Sequence, residues 1–499
     1  MLYSGPVPSI LVPLLLVTLS PVALATPNIL IVLTDDLGLG DVAAYNPQSK
    51  IPTPNFDRLA REGMRFTDAH TPDGVCSPTR YGLLTGRYAW RTGLKRGVLN
   101  GSSPPLIEQE RLTLADMLVQ EGYLTGAVGK WHLGLRWKLL NESAPQEADN
   151  IDWSMPISDG PAQHGFNYSF GLAMPAWTFV ENGSIVARPT LRFDLTHLPV
   201  HLIGPNNNEG IKAPGFEFER MLPRFAEEAA GFIQRAAREG KPWFLYFAPL
   251  APHRPVVPNS DFQGRTAAGL YGDFVAEVDW AVGEVLAAIE RTGQVKNTLV
   301  VFTSDNGPEV DAYRRVMEYR HASMGTLRGL KRDLWEGGHR VPFIARWPAR
   351  ISPGSVQDEV ICLTDVMATV AAIVDFPLPE DAAEDSYDIS DALFGVHSEL
   401  PLREATVHHG SRGWFGIRQG DWVLIDHPTG DSNSAGPNRE PEWFRRERQV
   451  VSHAEEVELF NLLDDPEQTT NLAASARDRV KSMKSLLERY KREGRSVWR

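Results

Sequence analysis

The stretch Val75-Cys76-Ser77-Pro78-Thr79-Arg80, followed by Leu84-Thr85-Gly86-Arg87, places a thiol one turn before an arginine at the start of a predicted helix. A helix N-terminus and a guanidinium both favour an anion, so this setting is expected to lower the thiol pKa. A cysteine hydrolase would also need a histidine partner, which the chain can supply but sequence distance does not place. A buried cysteine at a helix cap is the other reading of the same residues. A second group offers hard oxygens: Asp35-Asp36 and Asp305-Asn306. Carboxylate and amide oxygens suit Ca2+ or Mg2+ better than zinc. Alone, an acidic pair would equally make a solvated turn.

The elements around these residues decide between the readings. Residues 28–34, Asn28-Ile29-Leu30-Ile31-Val32-Leu33-Thr34, form a continuous apolar run, which predicts a buried central strand ending at Asp35-Asp36. Residues 243–247 and 298–302 predict two more strands, the second ending at Asp305-Asn306. Helical spacing is present over 55–63, 112–121, 225–238 and 273–291. Strands alternating with helices indicate a layered α/β domain, a large, mostly parallel mixed sheet between helices. Ligands bind at the carboxyl ends of such strands, so acids at two strand ends are expected to converge. After residue 375 the texture changes. Residues 375–391 are rich in Pro, Asp and Glu and read as a connector. Strand-like pieces 414–418 and 422–425 suggest a hairpin, 426–448 a long polar loop and 476–492 a closing helix. The expected organisation is a leader over 1–25, a catalytic α/β domain over 26–384 and a smaller C-terminal α+β subdomain with a short antiparallel sheet over 385–499.

The pattern C-x-P-x-R with Leu84-Thr85-Gly86-Arg87 resembles the first signature of the sulfatases, the formylglycine-dependent type I branch of the alkaline-phosphatase-like superfamily. A second signature follows in order, as Gly122-Tyr123-Leu124-Thr125-Gly126 with Gly129-Lys130-Trp131-His132-Leu133-Gly134. The resemblance runs from Asn28 to about Leu472 and includes Glu458-Leu459-Phe460-Asn461-Leu462 with Asp465-Pro466. It implies that a maturation enzyme oxidises Cys76 to formylglycine, whose gem-diol is the nucleophile. The diol attacks once and forms a covalent sulfate ester; its second hydroxyl then expels sulfate as the aldehyde reforms. By the same resemblance, Asp35, Asp36, Asp305, Asn306 and the modified Cys76 hold one divalent cation, usually calcium. Arg80 orients the formylglycine, Lys130 and His132 bind the sulfate and the diol, and Lys331 is a second sulfate-binding lysine. His253, in Ala251-Pro252-His253-Arg254-Pro255, gives a proton to the leaving alcohol, and His164 either helps shape the pocket or is structural.

The implied activity is hydrolysis of a sulfate ester, on a sulfated carbohydrate or another small molecule, to an alcohol and inorganic sulfate. A phosphomonoesterase or phosphodiesterase of the same superfamily is the alternative enzyme. Such relatives usually carry Ser or Thr at the nucleophile position and often two zinc ions, and the intact Cys76-x-Pro-x-Arg80 argues against them. A non-catalytic sulfated-glycan-binding protein is the third reading; no expected catalytic position is substituted.

Other residues carry weaker signals. His321 and His339 are expected at the substrate rim or on the surface, and Cys362 in the core. Trp137, Trp153 and Trp177 fit either a sugar-stacking platform or the core. Segments 135–186, 191–216 and 426–448 are read as specificity loops, with Arg136, Arg188, Arg192 and Lys212 open to solvent or to anionic groups. The chain has 499 residues, is 42% hydrophobic and 23% charged, and so has ample material for a core. Acidic residues outnumber basic ones 63 to 50, and no basic run of five occurs, which argues against nucleic-acid binding. Two cysteines are too few for a disulfide framework. Residues 1–25 carry no charge and end in Ala23-Leu24-Ala25, as a cleaved secretory leader does; Pro13 and Pro21 interrupt a run too short to span a membrane. Export follows: secreted or periplasmic in a bacterium, lysosomal or extracellular in a eukaryote, where Asn100, Asn141, Asn167 and Asn182 are N-x-S glycosylation positions.

Overall fold

Every residue of the Asn28–Thr34 strand is buried, as its unbroken apolar sequence requires of a strand covered on both faces. In this computed structural model, which describes residues 26–204, 207–396, 400–433 and 439–498 with Met1 and Gly5, that strand lies near the centre of a ten-stranded sheet. The expected leader, Met1 and Gly5 apart, lies outside the described residues. Five neighbouring strands run parallel, in the order Thr298–Ser304, Asn28–Thr34, Trp243–Ala248, Leu124–Gly129 and Tyr168–Ala173. Antiparallel strands Phe343–Arg346 and Thr178–Glu181 flank this parallel block.

Side chains alternate across the sheet with period two. Leu30, Val32, Leu245, Phe247, Val300 and Phe302 pack against the helices Pro54–Glu62, Met221–Glu239 and Gly269–Arg291 on one face. Ile29, Ile31, Leu33, Phe244, Tyr246 and Val301 pack against Cys76–Thr85, Leu114–Gln120 and Val366–Val374 on the other. Each such side chain withdrawn from water contributes about 1.5–3 kcal/mol.

A second sheet holds the four antiparallel strands Thr406–His409, Phe415–Gln419, Trp422–Ile425 and Glu458–Asn461, with the expected hairpin at its centre. Its apolar face packs on the helix Arg477–Glu493 through Ile417, Leu424, Met483 and Leu487, and Cys362 is buried in the same cluster. The segment 135–186 is not simply a loop: its strands Tyr168–Ala173, Thr178–Glu181 and Ser184–Ile185 extend the main sheet. Trp137 and Trp153 meet edge to face at 5.0 Å in a small core of their own, and Trp177 packs on Phe216 and Phe218, so all three are core residues. Among the described residues no helix is long and apolar enough to cross a membrane.

Candidate functional site

Sheet register brings the acids together. Thr34 pairs with Ser304 at the ends of two adjacent parallel strands, so the next residues, Asp35 and Asp305, lie side by side, and the Asp305 amide donates to the Thr34 carbonyl at 3.0 Å. Gly129 pairs with Ala248 two strands further along and delivers Lys130 to the same end. Only glycine fits there: its φ is +113°, and a Cβ would lie 2.0 Å from the Ala248 carbonyl oxygen. Cys76 opens the helix Cys76–Thr85, and Arg80 projects from its next turn, fully buried.

Ligating atoms of Asp35, Asp36, Asp305 and Cys76 all lie within 4.8 Å of one another, and all four residues are buried. The Cys76 Sγ is 3.7 Å from Asp35 Oδ1. Arg80 donates Nη2 to Asp305 at 2.7 Å and to Asp35 at 3.1 Å, and Nη1 to the Lys130 carbonyl at 2.9 Å. Lys130 Nζ lies 2.5 Å from Asp35, and Lys331 Nζ 2.7 Å from Asp36. Three carboxylates are thus matched by three cations. Asn306 donates Nδ2 to Asp36 at 2.7 Å, while its buried Oδ1 has no partner among the described residues. An orphaned amide oxygen beside three carboxylates fits a hard divalent cation.

The two histidines are fixed by backbone carbonyls. His132 donates Nε2–H to the Leu99 carbonyl at 2.9 Å and leaves its buried Nδ1 without a partner. Burial, then Lys130 and Arg80, hold its pKa well below the ordinary range. His253 donates Nδ1–H to the Arg254 carbonyl at 2.6 Å, and its Nε2 lies 3.9 Å from Asp36. Burial, then Lys331 and Lys130, push it down to about 4.

Some sequence expectations fail here. The Cys76 thiol is not acidified; burial, then the charge of Asp305, push its pKa up, because Arg80 spends its donors on the carboxylates. His321 and His339 are neither rim nor surface. His321 is buried on Asp41 at 2.7 Å, and His339 lies buried against His70 and His408. His164 is buried on Asp159 at 3.0 Å and stacks on Trp131. The structure also adds Glu309, which sequence reasoning passed over. It accepts from Arg332 at 2.5 and 2.9 Å and from Arg254 at 2.7 Å, with Lys331 at 3.9 Å. Its one signal was proximity, three residues beyond Asn306 and opposite a cation next to Lys331.

The chain is similar to known proteins over most of its length. The family model described as Sulfatase matches residues 27–376. The chain is 32% identical to an N-acetylgalactosamine-6-O-sulfatase of Bacteroides thetaiotaomicron, covering 93% of each chain. It is 33% identical to human arylsulfatase A, over 89% of this chain and 83% of that one. A solved chain described in connection with the metabolism of multiple glycosaminoglycans by Bacteroides thetaiotaomicron has a TM-score of 0.79 at 30% identity, over 93% of this chain and 99% of that one. The chain therefore belongs to the sulfatase family, enzymes that hydrolyse sulfate esters.

Proposed function

We propose that this protein is an exported, formylglycine-dependent sulfatase that removes sulfate from a sulfated carbohydrate of the glycosaminoglycan type. The observation that carries the reading is the single buried cluster in which Cys76 meets Asp35, Asp36 and Asp305 beneath Lys130, Lys331 and Arg80. A thiol whose pKa is pushed up is a poor nucleophile, which suits a residue that works only after oxidation by a maturation enzyme. The formylglycine supplies the nucleophilic hydroxyl, and one divalent cation, calcium in this reading, supplies Lewis-acid polarisation of the sulfate oxygens. Asp35, Asp36, Asp305, Asn306 and residue 76 would hold that cation. A divalent cation and the singly charged sulfate ester would together add one net positive charge to the balance of three acids and three bases.

The rest is done by the chain. Lys130 and Lys331 bind the sulfate oxygens from two sides and stabilise charge that grows in transfer. Each lysine lies on a carboxylate and would be free to turn to the sulfate where that carboxylate held the cation. Arg80 holds Asp35 and Asp305 at a fixed spacing and braces the turn that carries residue 76. His132, anchored through Nε2, offers Nδ1 to the attacking hydroxyl. His253, anchored through Nδ1, gives the leaving oxygen a proton from Nε2. Burial, then the two lysines, lower His253, and the bound sulfate offsets the lysines' share, which favours the protonated ring in the complex. The leader over 1–25 accounts for export to the periplasm or the medium.

Mass spectrometry of the peptide containing residue 76, paired with release of inorganic sulfate, tests the reading. Formylglycine in proportion to activity is expected; an unmodified thiol in a fully active preparation overturns it. A chelator should abolish turnover and calcium restore it, whereas restoration by zinc alone would favour a phosphatase.

A further inference from the structure

Beside Asp36 the site continues into a cleft of about 280 Å3, walled by Pro252 and Arg254 on either side of His253, by Tyr271 and Glu309, and by the helix Asp311–Tyr319. If His253 protonates the leaving alcohol, this cleft receives the body of the substrate, so the inference rests on the function proposed above.

The cleft's cations are matched, with one exception. Arg254 holds Glu309 at 2.7 Å and Asp311 at 3.5 Å, and Arg314 holds Glu318 at 2.7 Å. Arg315 is 5% exposed, lies over the Tyr271 ring with its guanidinium carbon 3.5 Å from the centroid, and donates Nε to Ser323 Oγ at 3.0 Å. Its buried Nη2 has no hydrogen-bond partner, and among the described residues no carboxylate stands at ion-pair distance from it. Asp41 and Asp311 feel its charge but are engaged elsewhere, Asp41 by His321 and the Tyr271 hydroxyl at 2.7 Å each, Asp311 by Arg254.

A guanidinium withdrawn from water without a counter-charge is costly. Its planar fork of donors is matched to carboxylate and sulfate oxygens. The Tyr271 hydroxyl lies 3.4 Å from the backbone carbonyl oxygen of Asp36, so one aromatic ring separates Arg315 from the backbone of a residue of the sulfate site. That is the reach of a neighbouring substituent on one saccharide. We propose that Arg315 is a specificity-determining residue that binds a second oxyanion on the substrate, so that the protein selects saccharides carrying two anionic groups over singly sulfated ones.

Inhibition of 4-nitrophenyl sulfate hydrolysis tests this with three competitors: N-acetylgalactosamine 6-sulfate, N-acetylgalactosamine 4,6-disulfate and a uronate-containing chondroitin 6-sulfate disaccharide. At least one doubly anionic sugar is expected to bind at least tenfold more tightly than the monosulfate. The preferred one identifies the second group as sulfate or carboxylate. Arg315→Met should bring the ratio close to one, and Arg315→Lys should keep part of it. Equal inhibition by all three in the wild type, a measurement that needs no variant, overturns the proposal; so does a preference that survives Arg315→Met. Failure to release sulfate from 4-nitrophenyl sulfate and from all three sugars, with residue 76 shown to be formylglycine, would overturn the function proposed above and the inference with it.

Discussion

Arg80 is the residue whose chemistry changed most between sequence and structure. In the sequence it is a cation one turn from a thiol and a candidate for acidifying it. In the fold it is a fully buried strut whose guanidinium ties Asp305 to Asp35 and caps the Lys130 carbonyl. Lysine offers one ammonium where arginine offers a fork, so Arg80→Lys leaves at least one buried carboxylate poorly matched. Breaking a buried pair of this kind costs about 3–5 kcal/mol. We expect Arg80→Lys to unfold at markedly lower denaturant concentration and to lose at least a hundredfold in kcat. A variant with wild-type stability and turnover would refute the strut role.

At the scale of elements, the site is assembled from loops that leave the sheet at one edge, and Glu309 connects three of them. Its carboxylate receives Arg254 from the loop bearing His253 and Arg332 from the loop bearing Lys331, and it lies just beyond Asp305-Asn306. Arg332 is held at φ +84°, a conformation a non-glycine residue keeps only under surrounding constraint. Its amide donates to the Gly74 carbonyl at 2.7 Å, close to Cys76. Glu309→Gln keeps the shape but removes the charge that gathers both guanidiniums. It should lower kcat/KM about ten- to a hundredfold, an effect that follows from the sensitivity of rate to small misplacements. Glu309→Asp should recover part of the loss. An equal loss in both variants would make Glu309 a packing residue only.

At the scale of the molecule, the four-stranded sheet packs against the rest of the fold across three buried histidines. His70 Nδ1 and His339 Nδ1 are 3.1 Å apart, and the His339 ring stacks on His408, from the smaller sheet, at 3.8 Å. Asp68, Glu336 and Arg418 surround His70. Burial pushes His339 down to about 4, and burial, then His339, holds His408 well below its usual value. Both rings are therefore neutral in the folded protein at a pH where the unfolded chain, near 6.5, takes up protons. Their contribution is present above pH 6.5 and is lost as pH falls towards 4, on the order of 3 kcal/mol for His339. Urea midpoints should drop between pH 7 and 5. His408→Phe, which keeps a ring in the stack, should flatten that slope; an unchanged slope would remove the histidines from the account.

Local residue order determined a large part of this protein. The run Asn28–Thr34 reads as a buried strand, and an acid pair at the end of such a strand lies at the carboxyl end of the sheet. The order of Cys76, Arg80, Lys130 and His132 in two signatures by itself resembles that of the sulfatases. Such features are short-range: strand periodicity and motif spacing act within a few residues. Tertiary structure decided the rest. That Arg80 serves Asp305 and not Cys76, that Glu309 gathers residues 254 and 332, and that among the described residues no carboxylate stands at ion-pair distance from Arg315 all depend on contacts between segments far apart in the chain. Burial, which raises the thiol and lowers the histidines, likewise belongs to the packed whole. No window of sequence reports how much water remains around a side chain, and that quantity sets its charge.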